Sequence, residues 1–111
     1  MHVRDPIKRP MRIISTKHLN DYSDRNPETK IHLDSWRAEV EVATWRNPNE
    51  VKAQFKNASI VGNRRIVFNI KGNEHRLVVA MAFSIQTVYV KFIGTHAQYD
   101  MVDAKTVSLE T

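Results

Sequence analysis

Cysteine is missing from this chain of 111 residues, which therefore has neither a disulfide framework nor a thiolate nucleophile. No apolar run approaches the roughly 20 residues of a membrane-spanning helix. The first residues also lack the apolar centre of a signal peptide. These absences fit a cytoplasmic protein, which is the location that we predict. The length suits one domain with a single core and is too short for two.

Groups of metal ligands and DNA-reading helices are absent as well. The histidines share no ligand spacing with clustered acidic residues, so we predict neither a metal nor a cofactor. They are His2, His18, His32, His75 and His96. The predicted helices precede the sheet, and none combines a short glycine turn with a polar recognition face. This pattern disfavours a DNA-binding regulator.

Positive charge is in excess. The chain has 17 Lys and Arg against 12 Asp and Glu, a net charge of +5. Such a bias favours a polyanionic partner, nucleic acid first. The alternative is a basic protein whose charges are merely solvated.

The first ten residues differ from the rest. They carry three basic residues and two prolines without periodicity, which predicts an extended, poorly ordered arm. Met11 then opens a short apolar strand pattern, Met-Arg-Ile-Ile-Ser. We predict a single domain over residues 11–111, with residues 1–10 either as a disordered basic arm or, on the hypothesis that Met11 is the physiological start, as an upstream extension. A native protein whose terminus is only Met1 or His2 by mass spectrometry would contradict this start.

Helix signals fill the first half of the domain. Ser15 or Thr16 is placed to cap a helix that runs to about Arg25. Asn26-Pro27-Glu28 and Asn47-Pro48-Asn49-Glu50 each combine a capping side chain, a proline at the first helical position and an early acid, so they predict two further helices. The second helix has an apolar face of Ile31, Leu33, Trp36, Val40 and Ala43, and the third carries Val51 and Phe55 inward.

From residue 58 the hydrophobic period changes to two, which predicts four strands. They are Ala58 to Val61, Arg64 to Lys71, Glu74 to Phe83 and Thr87 to Ile93. Gly62-Asn63 and Gly72-Asn73 mark tight reversals.

A two-residue turn at Gly72-Asn73 sets Asn69 opposite Arg76 and Ile70 opposite His75. One face then collects apolar residues, with His75 as a core histidine, and the other face is more polar. The apolar face receives Ile66, Phe68, Leu77, Val79, Met81, Val88, Val90 and Phe92; the other receives Asn69, Arg76, Tyr89 and Lys91.

The end of the last strand is the predicted active site. Gly94 supplies backbone freedom where the apolar run stops, and His96, Tyr99 and Asp100 follow within one turn. Because the last strand runs antiparallel to its neighbour, this end comes level with Arg76.

Three segments closely resemble HigB-type toxins, which belong to the RelE-like superfamily of bacterial toxin-antitoxin systems. They are residues 60–73 (IVGNRRIVFNIKGN), 75–79 (HRLVV) and 92–100 (FIGTHAQYD), the last being the most specific. The resemblance runs from about Met11 to Ala104. It implies an α+β, RelE-like fold, with N-terminal helices packed on one face of a twisted, mainly antiparallel sheet of four to five strands.

The resemblance also implies a function. Such a toxin is a ribosome-dependent mRNA endonuclease that inhibits translation, and a HigA-type antitoxin with a helix-turn-helix DNA-binding domain neutralises it. Two alternatives remain. One is a non-catalytic basic module that binds RNA or the ribosome and tolerates loss of His96; the other, ranked third, is an antitoxin or DNA-binding regulator.

RNA cleavage without a metal needs a base for the 2'-hydroxyl, donors for the phosphorane charge and an acid for the leaving oxygen. We assign acid/base catalysis to His96, whose type titrates near neutrality. Transition-state stabilisation falls to Arg76, whose guanidinium matches phosphate oxygens, and both side chains are expected on an exposed face. Their bland alternatives are a turn cap for His96 and a cross-strand partner of Asn69 for Arg76.

The remaining site residues have supporting roles. Tyr99 stacks on a base, bonds the scissile phosphate or simply packs the turn. Asp100 orients His96 or caps the turn, and Asn69 is secondary. The candidate RNA-backbone contacts are Lys91, Lys71, Lys52 and Lys56, the last two sharing a helix face as a phosphate track or a solvated edge.

Overall fold

The computed structural model describes residues 9–109, which form four α-helices and a five-stranded sheet. The helices are α1 (Thr16–Arg25), α2 (Lys30–Val42), α3 (Pro48–Gln54) and α4 (His96–Tyr99); the strands are β1 (Arg12–Ile14), β2 (Ser59–Gly62), β3 (Arg65–Ile70), β4 (His75–Ala82) and β5 (Thr87–Thr95). No helix in this range is long and apolar enough to cross a membrane. The arm predicted at residues 1–10 falls largely on residues 1–8, outside the described range.

The sheet confirms the predicted fold class. Its strand order is β1-β5-β4-β3-β2, and every neighbouring pair is antiparallel except β1 with β5. Strands β2 to β5 form a continuous meander because short reversals join them, as antiparallel neighbours permit. Strand β1 forms one edge of the sheet and pairs in parallel with β5. The last strand of the chain, β5, therefore lies in the interior of the sheet, between β1 and β4.

The helix starts follow their capping residues. The Ser15 hydroxyl accepts a hydrogen bond from the Lys17 amide at 3.1 Å, and the Asn47 side chain accepts one from the Glu50 amide at 3.0 Å. At the second start the chain first makes a 3₁₀ turn, Pro27–Thr29, before α2 begins. The predicted helices are therefore present, with the second one entered through this tighter turn.

The core lies between the helices and one face of the sheet. Trp36 is 3% exposed and packs edge-on to Phe68, with ring centroids 5.4 Å apart, as expected for a core anchor. The prediction for Ile31 is wrong, because this side chain is 74% exposed. Ile31 precedes the buried Leu33 by two residues, which is about 200° around a helix, so the two point to opposite sides.

The predicted register is confirmed on both sides of β4. Asn69 pairs with Arg76 and Ile70 with His75. On the other side, Val79 pairs with Val90, which confirms the shared apolar face.

A β-bulge corrects the far half of β5. Val79 pairs with Val90 but Val78 pairs with Phe92, so Lys91 is an extra residue that shifts the alternation. Phe92 therefore lies on the face of Arg76, contrary to the prediction, and Ile93 packs against the core instead.

The C-terminal segment crosses the sheet face away from the helices. Arg65, which is 8% exposed, donates from Nη1 to the carbonyls of Ala104 and Val107 at 3.2 and 2.6 Å. Asn63 donates to the Lys105 carbonyl at 2.7 Å. These bonds hold the segment over the start of β3, at the opposite end of that strand from Asn69.

Candidate active site at the start of β4 and the end of β5

The turn that carries His96 is fastened at both ends. Thr95 and Gln98 form a capping box, in which the Gln98 amide donates to the Thr95 hydroxyl at 3.1 Å and the Thr95 amide donates to the Gln98 side chain at 2.9 Å. The His96 amide donates to the Glu74 carbonyl at 2.9 Å. These bonds fix the backbone of α4 relative to the turn between β3 and β4.

The imidazole of His96 lies next to Asp100. Its Nδ1 is 3.1 Å from Asp100 Oδ2, and the two side chains are 45% and 58% exposed. A carboxylate only accepts hydrogen bonds, so a proton on Nδ1 would face Asp100, and the lone pair of a neutral ring would then lie on Nε2. The structure thus brings His96 next to Asp100, its predicted orienting residue, with Nδ1 toward the carboxylate and no described residue bonded to Nε2.

Arg76 is more enclosed than predicted. It is 9% exposed, because its guanidinium bends back over the β3–β4 turn. Nη1 donates to the carbonyls of Asn73 and His75 at 3.0 and 3.3 Å, and Nη2 donates to the Asn73 side-chain oxygen. Asn69 pairs with Arg76 in the strand register and is exposed. The side chain that bonds the guanidinium is that of Asn73, which the sequence did not single out as a site residue.

Tyr99 connects the arginine to β5. The Arg76 Cζ atom lies 5.8 Å from the Tyr99 ring centroid, within cation–π range. The Tyr99 ring is in turn 6.4 Å from that of Phe92. Phe92 reaches this place only through the bulge at Lys91, which no sequence pattern indicated.

Two of the predicted lysines lie on this part of the sheet. Lys91 Nζ is 5.8 Å from the centroid of the Tyr89 ring, on the Arg76 face. Lys71 pairs with Glu74 at 2.8 Å. The hydrogen bond between them raises the pKa of Lys71 and lowers the pKa of Glu74. Lys71 therefore stays charged, although part of its charge is already matched.

Lys52 and Lys56 lie elsewhere. Only Lys52 lies on α3; Lys56 follows the helix end at Gln54, so the predicted shared helix face is wrong. The helix contacts β2, at the far edge of the sheet from β5. Lys52 Nζ donates to the Lys56 carbonyl at 2.7 Å and also to the Ala58 carbonyl, so it closes the loop into β2. The structure does not bring these lysines to the strand ends, and it favours a structural interpretation of Lys52.

His75 is a core histidine, as predicted. It is 3% exposed; Nδ1 is 2.7 Å from the Tyr22 hydroxyl, and Nε2 is 3.3 Å from Glu28 Oε2. Burial raises the pKa of Tyr22, which keeps its phenol protonated and able to donate to Nδ1.

Residues 9–109 contain no group of three His, Asp or Glu side chains that could hold a metal ion.

A family model covers the strand ends and the turn that carries His96. The model of HigB_toxin, the RelE-like toxic component of a toxin-antitoxin system, matches residues 29–102. The chain belongs to the HigB toxin family. The matched stretch runs from the end of the 3₁₀ turn through α4, so it includes both strand ends. As the toxic component of such a system, a HigB-family chain has an antitoxin as its partner.

Curated relatives extend the similarity toward the full chain. The "mRNA interferase toxin HigB" of Escherichia coli strain K12 is 29% identical over 96 residues, which are 85% of this chain and 92% of the relative. The "mRNA interferase HigB" of Shigella flexneri gives the same values. A protein of that name from Escherichia coli strain CFT073 is 26% identical over 92 residues, 81% of this chain and 89% of its own length.

Proposed function

We propose that this HigB-family toxin is an mRNA endonuclease that cuts messages on the ribosome and so inhibits translation. The relatives named as mRNA interferases support the substrate class. In this proposal the partner is a HigA-type antitoxin with a helix-turn-helix domain, and the chain acts in the cytoplasm, where translated messages are found. The observation that carries the chemistry is the His96–Asp100 pair beside the Arg76–Tyr99 pair, where the start of β4 pairs with the end of β5.

Proton transfer falls to His96. The 2'-oxygen of RNA attacks the adjacent phosphorus while its proton passes to a base, and the bond from phosphorus to the 5'-oxygen breaks while that oxygen gains a proton. The products are a 2',3'-cyclic phosphate and a 5'-hydroxyl. Asp100 at Nδ1 leaves Nε2 as the atom that takes or returns a proton. Asp100 thereby acts as a positioning residue.

Charge stabilisation falls to Arg76. The phosphorane gains negative charge on its equatorial oxygens, and a guanidinium offers paired N–H donors at fixed spacing. The enclosed setting strengthens this interaction, because fewer waters compete for the donors. His96 and Arg76 together supply proton transfer and charge, so the scheme requires no metal. Tyr99, which lies against Arg76, stacks on a base next to the scissile phosphate.

The RNA backbone follows the sheet face away from the helices. Lys91 and Asn69 lie on that face, and Lys71 stands at its end beside the β3–β4 turn. Each supplies one contact to phosphate or sugar, which adds affinity without sequence selection. In this proposal Lys56 is a peripheral contact and Lys52 is weaker, since its ammonium bonds loop carbonyls.

Expression without the antitoxin tests the function. Wild type, His96→Ala and Arg76→Ala are induced in bacteria, growth is followed, and new RNA ends are mapped on a reporter message with and without its start codon. His32→Ala and Arg37→Ala are matched controls, because both residues lie on α2 and neither belongs to the candidate site.

We expect wild type and both controls to arrest growth and to cut only the translated reporter. His96→Ala and Arg76→Ala are expected to do neither. Growth arrest by all five proteins without new RNA ends would instead support the alternative, a basic module that binds RNA or the ribosome. Cleavage of both reporters would contradict the dependence on the ribosome.

A further inference from the structure

Asn73 holds one edge of the Arg76 guanidinium. Its backbone carbonyl accepts from Nη1 at 3.0 Å, and its side-chain oxygen accepts from Nη2. Two acceptors of a single residue therefore bind the end edge of the fork, the one formed by Nη1 and Nη2. The second Nη1 proton points to the carbonyl of His75 at 3.3 Å.

The other edge of the fork is left for a ligand. A guanidinium has five N–H groups, and these contacts occupy three of them. The N–H of Nε has no hydrogen-bond partner among the described residues, and Nε is not one of the solvent-excluded unpaired atoms. Nη2 makes one hydrogen bond, to Asn73, and its other N–H has no partner among the described residues. These two groups form the side edge, which also has the spacing for two oxygens of one phosphate.

We propose that Asn73 is a positioning residue for Arg76: it binds the end edge of the guanidinium so that the side edge meets the scissile phosphate. Asn73 itself touches neither RNA nor the reacting atoms. The inference rests on the proposed function, because it concerns how the same arginine meets its phosphate.

The residue type fits this task. An asparagine oxygen is a neutral acceptor, so it orients the guanidinium and leaves its full charge for the phosphorane. An aspartate would accept the same bonds but would compete with the phosphate as a counter-charge. An alanine would remove the side-chain acceptor and leave the weaker hold of the two carbonyls. Comparing asparagine, aspartate and alanine at position 73 therefore distinguishes the effect of orienting the guanidinium from the effect of its charge.

The first test measures the arginine without RNA. Nitrogen-15 relaxation of the Arg76 Nε–H group is recorded in the free protein for wild type, Asn73→Ala and the control Asn20→Ala, an exposed helical asparagine. We expect the order parameter of this group to fall in Asn73→Ala and to stay at the wild-type value in Asn20→Ala. Equal order parameters in all three proteins would overturn the proposed positioning.

The second test is a double-mutant cycle on cleavage in a reconstituted translation system. Asn73→Ala is expected to lower the maximal cleavage rate by roughly 10- to 100-fold with little change in the concentration for half-saturation. Asn73→Asp, which keeps the acceptor, should retain wild-type order at Arg76 but cleave more slowly than wild type. In an Arg76→Ala background, Asn73→Ala should cost no more than about twofold further, because the arginine it positions is gone.

The outcomes separate this inference from the proposed function. Multiplicative rate losses in the double variant would show that Asn73 acts independently of Arg76 and would overturn the inference, with the function left standing. If wild type does not cut RNA at all, the proposed function fails and the phosphate contact fails with it. The relaxation measurement would then still decide whether Asn73 orients the guanidinium.

Discussion

Two histidines lie where the start of β4 pairs with the end of β5, and their surroundings differ in almost every respect. The ring of His75 is 3% exposed, and both of its nitrogens contact side chains of the α1–α2 region. The ring of His96 is about half exposed; Asp100 meets its Nδ1, and no described residue bonds its Nε2. One imidazole joins two layers of the fold, and the other keeps a free nitrogen.

Strand parity produces this difference. His75 pairs with Thr95, so His96 is the next residue along and begins a new turn. A histidine whose side chain points to the helix-covered face finds partners there and becomes part of the core. A histidine placed just after the strand escapes that face. The position within the pleat, rather than the residue type, decides which histidine is available for chemistry.

Removing the exposed imidazole gives the largest expected effect. His96→Ala should lower the single-turnover cleavage rate by about 10²- to 10⁴-fold, the usual contribution of a positioned acid or base. Asp100→Asn should lower the cleavage rate less, by roughly tenfold, because Nε2 of His96 remains but the carboxylate no longer orients the imidazole ring. Neither change should move the urea midpoint of unfolding, since both side chains lie in solvent. Wild-type cleavage by His96→Ala would contradict the assignment.

Removing the buried imidazole should instead cost stability. His75→Ala leaves a cavity and an unpaired Tyr22 hydroxyl, which together cost about 2–4 kcal/mol. Tyr22→Phe removes only the donor to Nδ1 and should cost about 1–2 kcal/mol. Urea unfolding measures both, and His32→Ala on the exposed side of α2 is the control. If His75→Ala unfolds at the wild-type midpoint, the contrast between the two histidines is wrong.

Gly94 lies within β5 opposite Arg76 and has no positive φ, so the predicted need for backbone freedom is wrong and close packing is what requires a glycine there. A Cβ atom there would lie 2.7 Å from Phe92 Cζ and 2.8 Å from the Gln98 side-chain oxygen. Gly94→Ala should therefore cost about 1–3 kcal/mol by overpacking and slow cleavage, because Gln98 caps the turn of His96. Phe92→Leu removes the closer atom, so the double variant should recover part of the stability in urea unfolding. No recovery would mean that the clash lies elsewhere.

Much of this arrangement follows from local sequence signals. The capping residues Ser15 and Asn47 mark helix starts, and the reversal at Gly72-Asn73 alone sets Asn69 opposite Arg76. Turn chemistry and period-two alternation are short-range properties, so one sequence is enough to read them. The burial of His75 follows from the same register.

Other features depend on contacts between distant segments. The bulge at Lys91 places Phe92 on the Arg76 face of the sheet. An alternating apolar pattern does not indicate where a strand contains one extra residue. The enclosure of Arg76 arises where the β3–β4 turn meets Tyr99. Asn73 stands three residues before Arg76 in a turn, which is a signal that could have identified it, since turn side chains often bond nearby groups.

Lys52 and Lys56 repeat the contrast of the histidines at a smaller scale. They share a helix spacing that predicts one role for both, yet only Lys52 has its ammonium on loop carbonyls. Lys52→Met should lower stability by about 1 kcal/mol in urea unfolding, because two carbonyls lose their donor.

Lys56→Met should leave that midpoint unchanged, because its exposed side chain is offered to solvent or RNA. In the reconstituted cleavage assay it should weaken RNA engagement slightly and reduce the dependence on salt, as the loss of one phosphate contact would. Equal stability losses in the two variants would show that the lysines act together as a structural pair. If Lys52→Met and Lys56→Met change the salt dependence equally and neither lowers stability, both lysines contact RNA.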